Sequence, residues 1–272
     1  MYPYDFVYRR ARTIAEAEDL FNCFEEPAFL AGGHTLVPAM KNRLARPDAL
    51  VDVRFIPDLH GISRSGGWLH VGAGSTHFQV STSAEVISAI PALAGMAGTI
   101  ADPQVRNLGT IGGSLANNDP AADYPSAVLG IGARIITSRR TIEADDYFQG
   151  LFSTALDPGE IVVRISFPIP EGAGYAKLCN KASRYAMAAS FVSRVGSDVR
   201  VAITGSGKDG VFRWSEAEAA LSKDFSADVL GAISPDEEGI ASDIHGNATY
   251  RANLVIQMTR RAVRAIGGID VR

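Results

Sequence analysis

Two short segments of the chain join paired glycines to small hydroxyl side chains. One is Ala31-Gly32-Gly33-His34-Thr35-Leu36; the other is Thr110-Ile111-Gly112-Gly113-Ser114, which runs on through Asn117 to Asp123. These residue types suit a diphosphate held by neutral backbone. Several N–H groups must converge on the ligand, and residues without Cβ are needed where the chain passes close to phosphate oxygens. Thr35, Thr110 and Ser114 would add hydroxyl donors, so no lysine is required. Taken singly, a Gly-Gly pair is more often a plain turn. Neither segment is the GxxxxGKS/T loop, nor a GxGxxG turn between a strand and a long helix.

The composition excludes several other chemistries. The 26 basic and 30 acidic residues leave a net charge of −4, and no basic cluster is interleaved with aromatics, so a nucleic acid is not expected as a partner. Cys23 and Cys179 are the only cysteines, too few for a disulfide framework or for an iron–sulfur cluster, which takes about four thiolates. The five histidines show no HxH or HxxxH spacing, so no metal site is expected. The charged start MYPYDFVYRR and the lack of a run of about 18 apolar residues predict a cytoplasmic chain with no transmembrane segment.

The elements that must carry the glycine segments follow from capping and periodicity. Thr13 to Glu16 reads as a capping box opening a helix near residue 14, with Cys23 expected on its buried side. A strand over 28–31 enters the first glycine pair, followed by a short helix over 36–43 and a strand over 49–53. A second unit has a strand over 68–73, a capping box at Thr82 to Glu85, and a helix over 92–100 with Pro91 at its start. Residues 102–125 read as one long loop, a length that is usually functional. A hairpin over 133–144 and a strand over 160–167 precede the Pro- and Gly-rich PIPEGAG, a domain boundary. Beyond it, three strands (175–178, 199–204, 211–214) and helical segments predict a small α+β domain. Its last helix, 250–266, puts Leu254, Met258, Ala262 and Ile266 on one face.

FLAGGHTLVPAMKNRLARPDALVDV, GAGSTHFQV, DPQVRNLGTIGGSLANNDPAADYP and GEIVVRISFP together resemble the FAD-binding medium subunit of the molybdenum hydroxylases. This is the xanthine dehydrogenase and carbon monoxide dehydrogenase family, and the likeness is nearest to the bacterial carbon monoxide dehydrogenase type. It runs through roughly residues 3–265, with both glycine motifs in the family's order.

The resemblance implies an α+β fold. A two-lobed FAD-binding domain of the p-cresol methylhydroxylase type would cover 1–170, with lobes of about 1–58 and 59–170. A small α+β C-terminal domain, a three-stranded sheet plus helices, would cover 171–272. The diphosphate of FAD would be clamped between Leu30 to Leu36 and Thr110 to Ser114, with Asn117 and Asp123 reaching the ribityl and adenosine portions. Asp123 reads equally as the N-cap of the following helix. Ile100 and Val162 match positions that pack flavin, or are core alone. Lys177 and Tyr185 match a lysine and an aromatic near the isoalloxazine, where the lysine would favour the anionic reduced flavin; otherwise Lys177 is a solvated strand-edge residue. His34 is read as a hydrogen-bonding group of the flavin loop, His77 as fixing a turn, and Arg106 and Asn107 as structural.

The chain offers no nucleophile–base pair and no pterin site. The resemblance therefore implies an oxidoreductase subunit whose task is electron transfer. Electrons would come from a molybdopterin-binding large subunit through a small 2Fe–2S subunit, in a dimer of heterotrimers, and leave for an external acceptor. Membrane contact would be peripheral, through the complex. A free-standing flavin oxidoreductase and a flavin-free assembly subunit are the rival readings.

Overall fold

A computed structural model describes residues 2 to 271 as three larger sheets joined in series, with a small two-stranded sheet within the second lobe. The first lobe holds β1 (Val7–Arg10), α1 (Ile14–Phe21), β2 (Pro27–Leu30), α2 (Leu36–Lys41) and β3 (Ala49–Asp52), its strands parallel in the order β1-β3-β2. Thr13 caps α1 by accepting from the Glu16 N–H at 3.1 Å, and the Glu16 carboxylate accepts from Arg12 N–H. Cys23 lies beyond the end of α1 and is exposed, contrary to the sequence expectation. The helix stops at Phe21, one residue before its cap, so the apolar face does not reach Cys23.

The second lobe begins with β4 (Ile62–Ser65) and β5 (Trp68–Gly72) and continues through six helices: α3 (His77–Thr82), α4 (Ala84–Ala89), α5 (Pro91–Gly98), α6 (Pro103–Leu108), α7 (Ile111–Asn117) and α8 (Tyr124–Ile131). It closes with β6 (Arg134–Thr137), β7 (Thr141–Glu143), α9 (Ala144–Tyr147), β8 (Phe148–Gly150), β9 (Ser153–Thr154) and β10 (Val162–Pro168). The sheet order is β4-β5-β10-β6-β7, all antiparallel. Two expectations are corrected here. The capping box of this lobe is Thr76 with Gln79, while Ser83 caps α4 and Thr82 ends α3. The presumed loop over 102–125 is mostly the three short helices α6, α7 and the start of α8: Asp102 and Thr110 each accept from an N–H three residues on, which offsets the glycines' poor helix propensity.

The third sheet is built from β11 (Gly172–Cys179), β12 (Ala186–Val195), β13 (Asp198–Thr204), β14 (Phe212–Arg213) and, after α10 (Ser215–Lys223) and α11 (Ala248–Arg264), β15 (Gly268–Val271). Its order is β14-β13-β12-β11-β15, five strands where three were expected. The strand over 186–195 is rich in Ala and Ser, and the last strand is four residues long, so neither carries a strong strand signal. Alternation divides this sheet cleanly: Tyr175, Phe191 and Ala202 join the core of the second lobe, whereas Ala176, Val192, Val201 and Ile203 join a separate core beneath α10 and α11. Within that second core Met258 and Ala262 of α11 are buried as expected, Leu254 is partly buried, and Ile266 is exposed.

Candidate functional site

The two glycine segments meet. A Cβ on Gly32 would lie 2.3 Å from the Leu108 carbonyl oxygen and 2.7 Å from Gly109 Cα, so the first lobe touches the α6–α7 connection backbone to backbone. Gly33 has φ +71°, a conformation natural only to glycine, and turns the chain from β2 into α2. Among the described residues, the backbone N–H groups of Gly32, Gly33, His34 and Thr35 have no acceptor in the chain. Thr35 stands at the cap of α2 without making a side-chain cap bond, and is exposed.

The second segment is arranged differently. Gly112 N–H donates to Ala73 O at 2.9 Å, Ile111 N–H to Ser75 O at 3.1 Å, and Gly113 N–H to Thr110 Oγ1 at 3.1 Å. Its glycines therefore spend their N–H groups inside the fold, and the expected symmetrical pair of N–H cradles is not found. The lack of a side chain matters instead for close packing, because a Cβ on Gly112 would meet Ala73 at 2.5 Å. What lines the cavity is Thr110, Ser114 and the open side of Gly113.

A cavity of about 1090 Å³ lies where the segments meet, between the first lobe, α6 to α8 and the β11–β12 connection. It is slightly above the ~300–1,000 Å³ span of small-molecule sites, room enough for a dinucleotide. Of the residues singled out from the sequence, Ala31, Gly32, Gly33, His34, Thr35, Leu36, Ile100, Thr110, Gly112, Gly113, Ser114, Asn117, Asp123, Val162 and Tyr185 line it. Leu30, Ile111 and Lys177 do not. Leu30 packs with Met40 and Leu50, and Ile111 is core of the second lobe. Ile100 and Val162 pack on that core and line the cavity as well.

Lys177 is fully buried, 1% exposed, with Nζ 2.9 Å from Asp123 Oδ1. It is not a strand-edge residue, since β15 pairs alongside it with Lys177 opposite Val271. Tyr175, two residues earlier on the same face, donates its hydroxyl to the same carboxylate oxygen. Asp123 therefore does not cap α8 with its side chain; its oxygen is taken by Lys177 and Tyr175 on one side, while the residue lines the cavity on the other. The burial of Tyr175 and the neighbouring Asp123 push its phenol far up.

His34 and His77 share the wall under the first segment. Burial, helped by His34 and Arg106, pushes the His77 imidazole down to about 4, so it is neutral. Among the described residues, His34 Nε2 and His77 Nδ1 are both buried without a hydrogen-bond partner. His77 sits in the first turn of α3, held by its own N–H to Gly109 O, rather than in a turn after β5. Arg106 braces the connection by donating to Ile100 O and Ala101 O, and Asn107 donates to Pro103 O. Sequence reasoning passed over His77, Asp119 and Arg184 as cavity-lining groups. Asp119 carried a readable signal, the polar run Asn-Asn-Asp-Pro four residues ahead of Asp123.

Neutral N–H donors, free hydroxyls and a large cavity between two lobes form a cradle for a dinucleotide. The comparisons agree. Residues 4–170 match the family model described as the FAD binding domain in molybdopterin dehydrogenase. The chain belongs to that family. It is 37% identical to the carbon monoxide dehydrogenase medium chain of Afipia carboxidovorans, over 97% of each chain. It is 34% identical to the nicotine 6-hydroxylase medium subunit of Paenarthrobacter nicotinovorans, over 96% of each. A solved structure of reconstituted CO dehydrogenase from Oligotropha carboxidovorans contains a chain that superposes with a TM-score of 0.89 at 35% identity, over 98% of this chain and 99% of that one. FAD is accordingly the cofactor, and the α+β fold is that of the family's medium subunits, which are oxidoreductase subunits. No helix among the described residues is long and apolar enough to cross a membrane.

Proposed function

We propose that the chain is the electron-transfer subunit of a cytoplasmic molybdenum hydroxylase complex. It would take electrons from a 2Fe–2S subunit, fed by a molybdopterin-binding subunit, and pass them to an external acceptor, within a dimer of heterotrimers. The observation that carries this reading is the meeting of the two glycine segments over a dinucleotide-sized cavity, in a chain that resembles medium subunits of enzymes with different substrates along nearly its whole length.

Residues 1–170 form the flavin-binding domain and 171–272 the domain that closes over it. The free N–H groups from Gly32 to Thr35 take the diphosphate, joined by the hydroxyls of Thr110 and Ser114. Asn117 and Asp123 line the cavity and would face the ribityl and adenosine portions, with Asp123 held in place by Lys177. Tyr185, on the β11–β12 connection, lines the cavity and would cover the flavin ring and keep water from it. Flavin, when bound, exchanges electrons singly or in pairs and so can join a one-electron cluster chain to a two-electron acceptor.

The visible spectrum and metal content of the purified protein test this. Oxidised-flavin absorption with co-purifying molybdenum and iron is the expected result. Flavin without either metal in the protein from its native host would point to a free-standing oxidoreductase, and a colourless chain to an assembly role.

A further inference from the structure

The wall of the cavity beside Tyr185 carries two carboxyl groups in unequal settings. Asp123 is matched by Lys177 at 2.9 Å and by the Tyr175 hydroxyl. Asp119, four residues earlier, is half-buried and lines the same cavity, yet among the described residues no lysine, arginine or histidine lies within ion-pair distance of it. Among the described residues its carboxylate accepts one hydrogen bond, from the Ala121 N–H to Oδ1 at 2.8 Å.

The backbone fixes Asp119 next to Tyr185. Ala186 N–H donates to Ala121 O at 3.4 Å, Gly205 N–H donates to Pro120 O at 2.9 Å, and the Thr204 hydroxyl donates to Pro120 O and Ala122 O. Residues 120–122 are thus tied to the start of β12, which Tyr185 leads into, and to the end of β13 beside it. The charged or titratable groups lining this end of the cavity are Asp123, with Lys177 behind it, Tyr185, Arg184 and Asp102, and Arg184 donates to Ala101 O while keeping its positive charge.

Lys177 and Asp123 cancel, so the lysine expected to favour reduced flavin supplies no net charge. Asp119 is a carboxylate at this end that has no cation within ion-pair distance among the described residues. We propose that Asp119 is the positioning residue that sets the reduction potential of the bound flavin: its carboxylate opposes the negative charge that reduction brings, and its protonation removes that opposition. This rests on the proposed placement of the flavin ring beside Tyr185.

Burial raises the Asp119 carboxyl from its ordinary value, so the change between its two forms moves up in pH. Below that change Asp119 is neutral and the flavin is easier to reduce; above it the charge appears and the potential falls.

The test is a spectroelectrochemical titration of the flavin-loaded protein from about pH 4 to about pH 9, a range that begins at the ordinary carboxyl value and runs upward from it. Wild type should show an additional downward break in the potential–pH line. Asp119→Asn should lose the break and stay higher at the alkaline end by about tenfold in the reduction equilibrium, roughly 30 mV for two electrons. Asp119→Glu should keep the break. An Asp119→Asn protein with wild-type potentials throughout, or one that no longer holds flavin, overturns the proposal. Wild-type protein without flavin overturns the reading beneath it instead.

Discussion

Lys177 Nζ and Asp123 Oδ1 lie 2.9 Å apart, 1% and 6% exposed, with Tyr175 completing the contact. This pair ties the third sheet to the start of α8 under the cavity floor. Lys177→Met should leave Asp123 buried without its cation, and breaking such a pair costs about 3–5 kcal/mol. A solvated lysine would change stability by no more than about 0.5 kcal/mol. The urea midpoint of the variant distinguishes the two, and a wild-type midpoint would refute the ion pair.

Gly112 and Gly113 are adjacent yet should respond oppositely to a side chain. A Cβ at Gly112 meets Ala73 at 2.5 Å, including backbone that cannot move aside, so Gly112→Ala should lower stability by about 1–3 kcal/mol. A Cβ at Gly113 meets only Thr110 Oγ1 at 2.9 Å and Ala31 Cβ at 3.8 Å and otherwise points at the cavity. Gly113→Val should fold and lose FAD, read as flavin absorbance per chain; full flavin occupancy there would count against the diphosphate position.

The glycine segments were legible because their chemistry is local: paired residues without Cβ beside hydroxyls. What each glycine does was not, because the acceptors of Ile111 and Gly112, Ser75 and Ala73, lie on a distant stretch and no spacing rule reveals them. The same limit governed Lys177. Its burial depends on β15, a four-residue strand at the far end of the chain that pairs with β11 in parallel. The strand over 186–195 was invisible for a different reason, since its small residues fit a buried sheet only once α8 and α11 are known to cover both faces. Conversely, the first lobe reads almost directly, its helix caps and apolar strands being short-range signals.

His77 makes stability depend on pH in a definite direction. Its folded imidazole titrates near 4, below the ordinary 6.5, so between these values the unfolded chain binds the extra proton. This stabilisation is full above about pH 6.5 and is lost as pH falls toward 4, up to about 3 kcal/mol. Urea midpoints measured across that window should decline in wild type, and His77→Gln should remove that part of the decline. A variant declining as steeply as wild type would show that the loss arises elsewhere.

Gly32 provides the most direct test of how the site is assembled. Its missing side chain lets the first lobe rest on the Leu108–Gly109 backbone, and a methyl group there would sit 2.3 Å from a carbonyl oxygen. Backbone on both sides leaves no soft neighbour to yield, so Gly32→Ala must push the glycine segments apart. The free N–H groups of residues 32–35 would then move away from Thr110 and Ser114, which lie on the other wall. Because a diphosphate needs both walls at once, FAD should bind at least tenfold more weakly, about 1.4 kcal/mol, as read by fluorescence titration of the flavin-free protein. The first lobe's own core of Val51, Val53 and Ile56 is not at the contact, so the chain should stay folded. FAD binding of wild-type strength in Gly32→Ala would mean that the two segments do not hold one ligand between them.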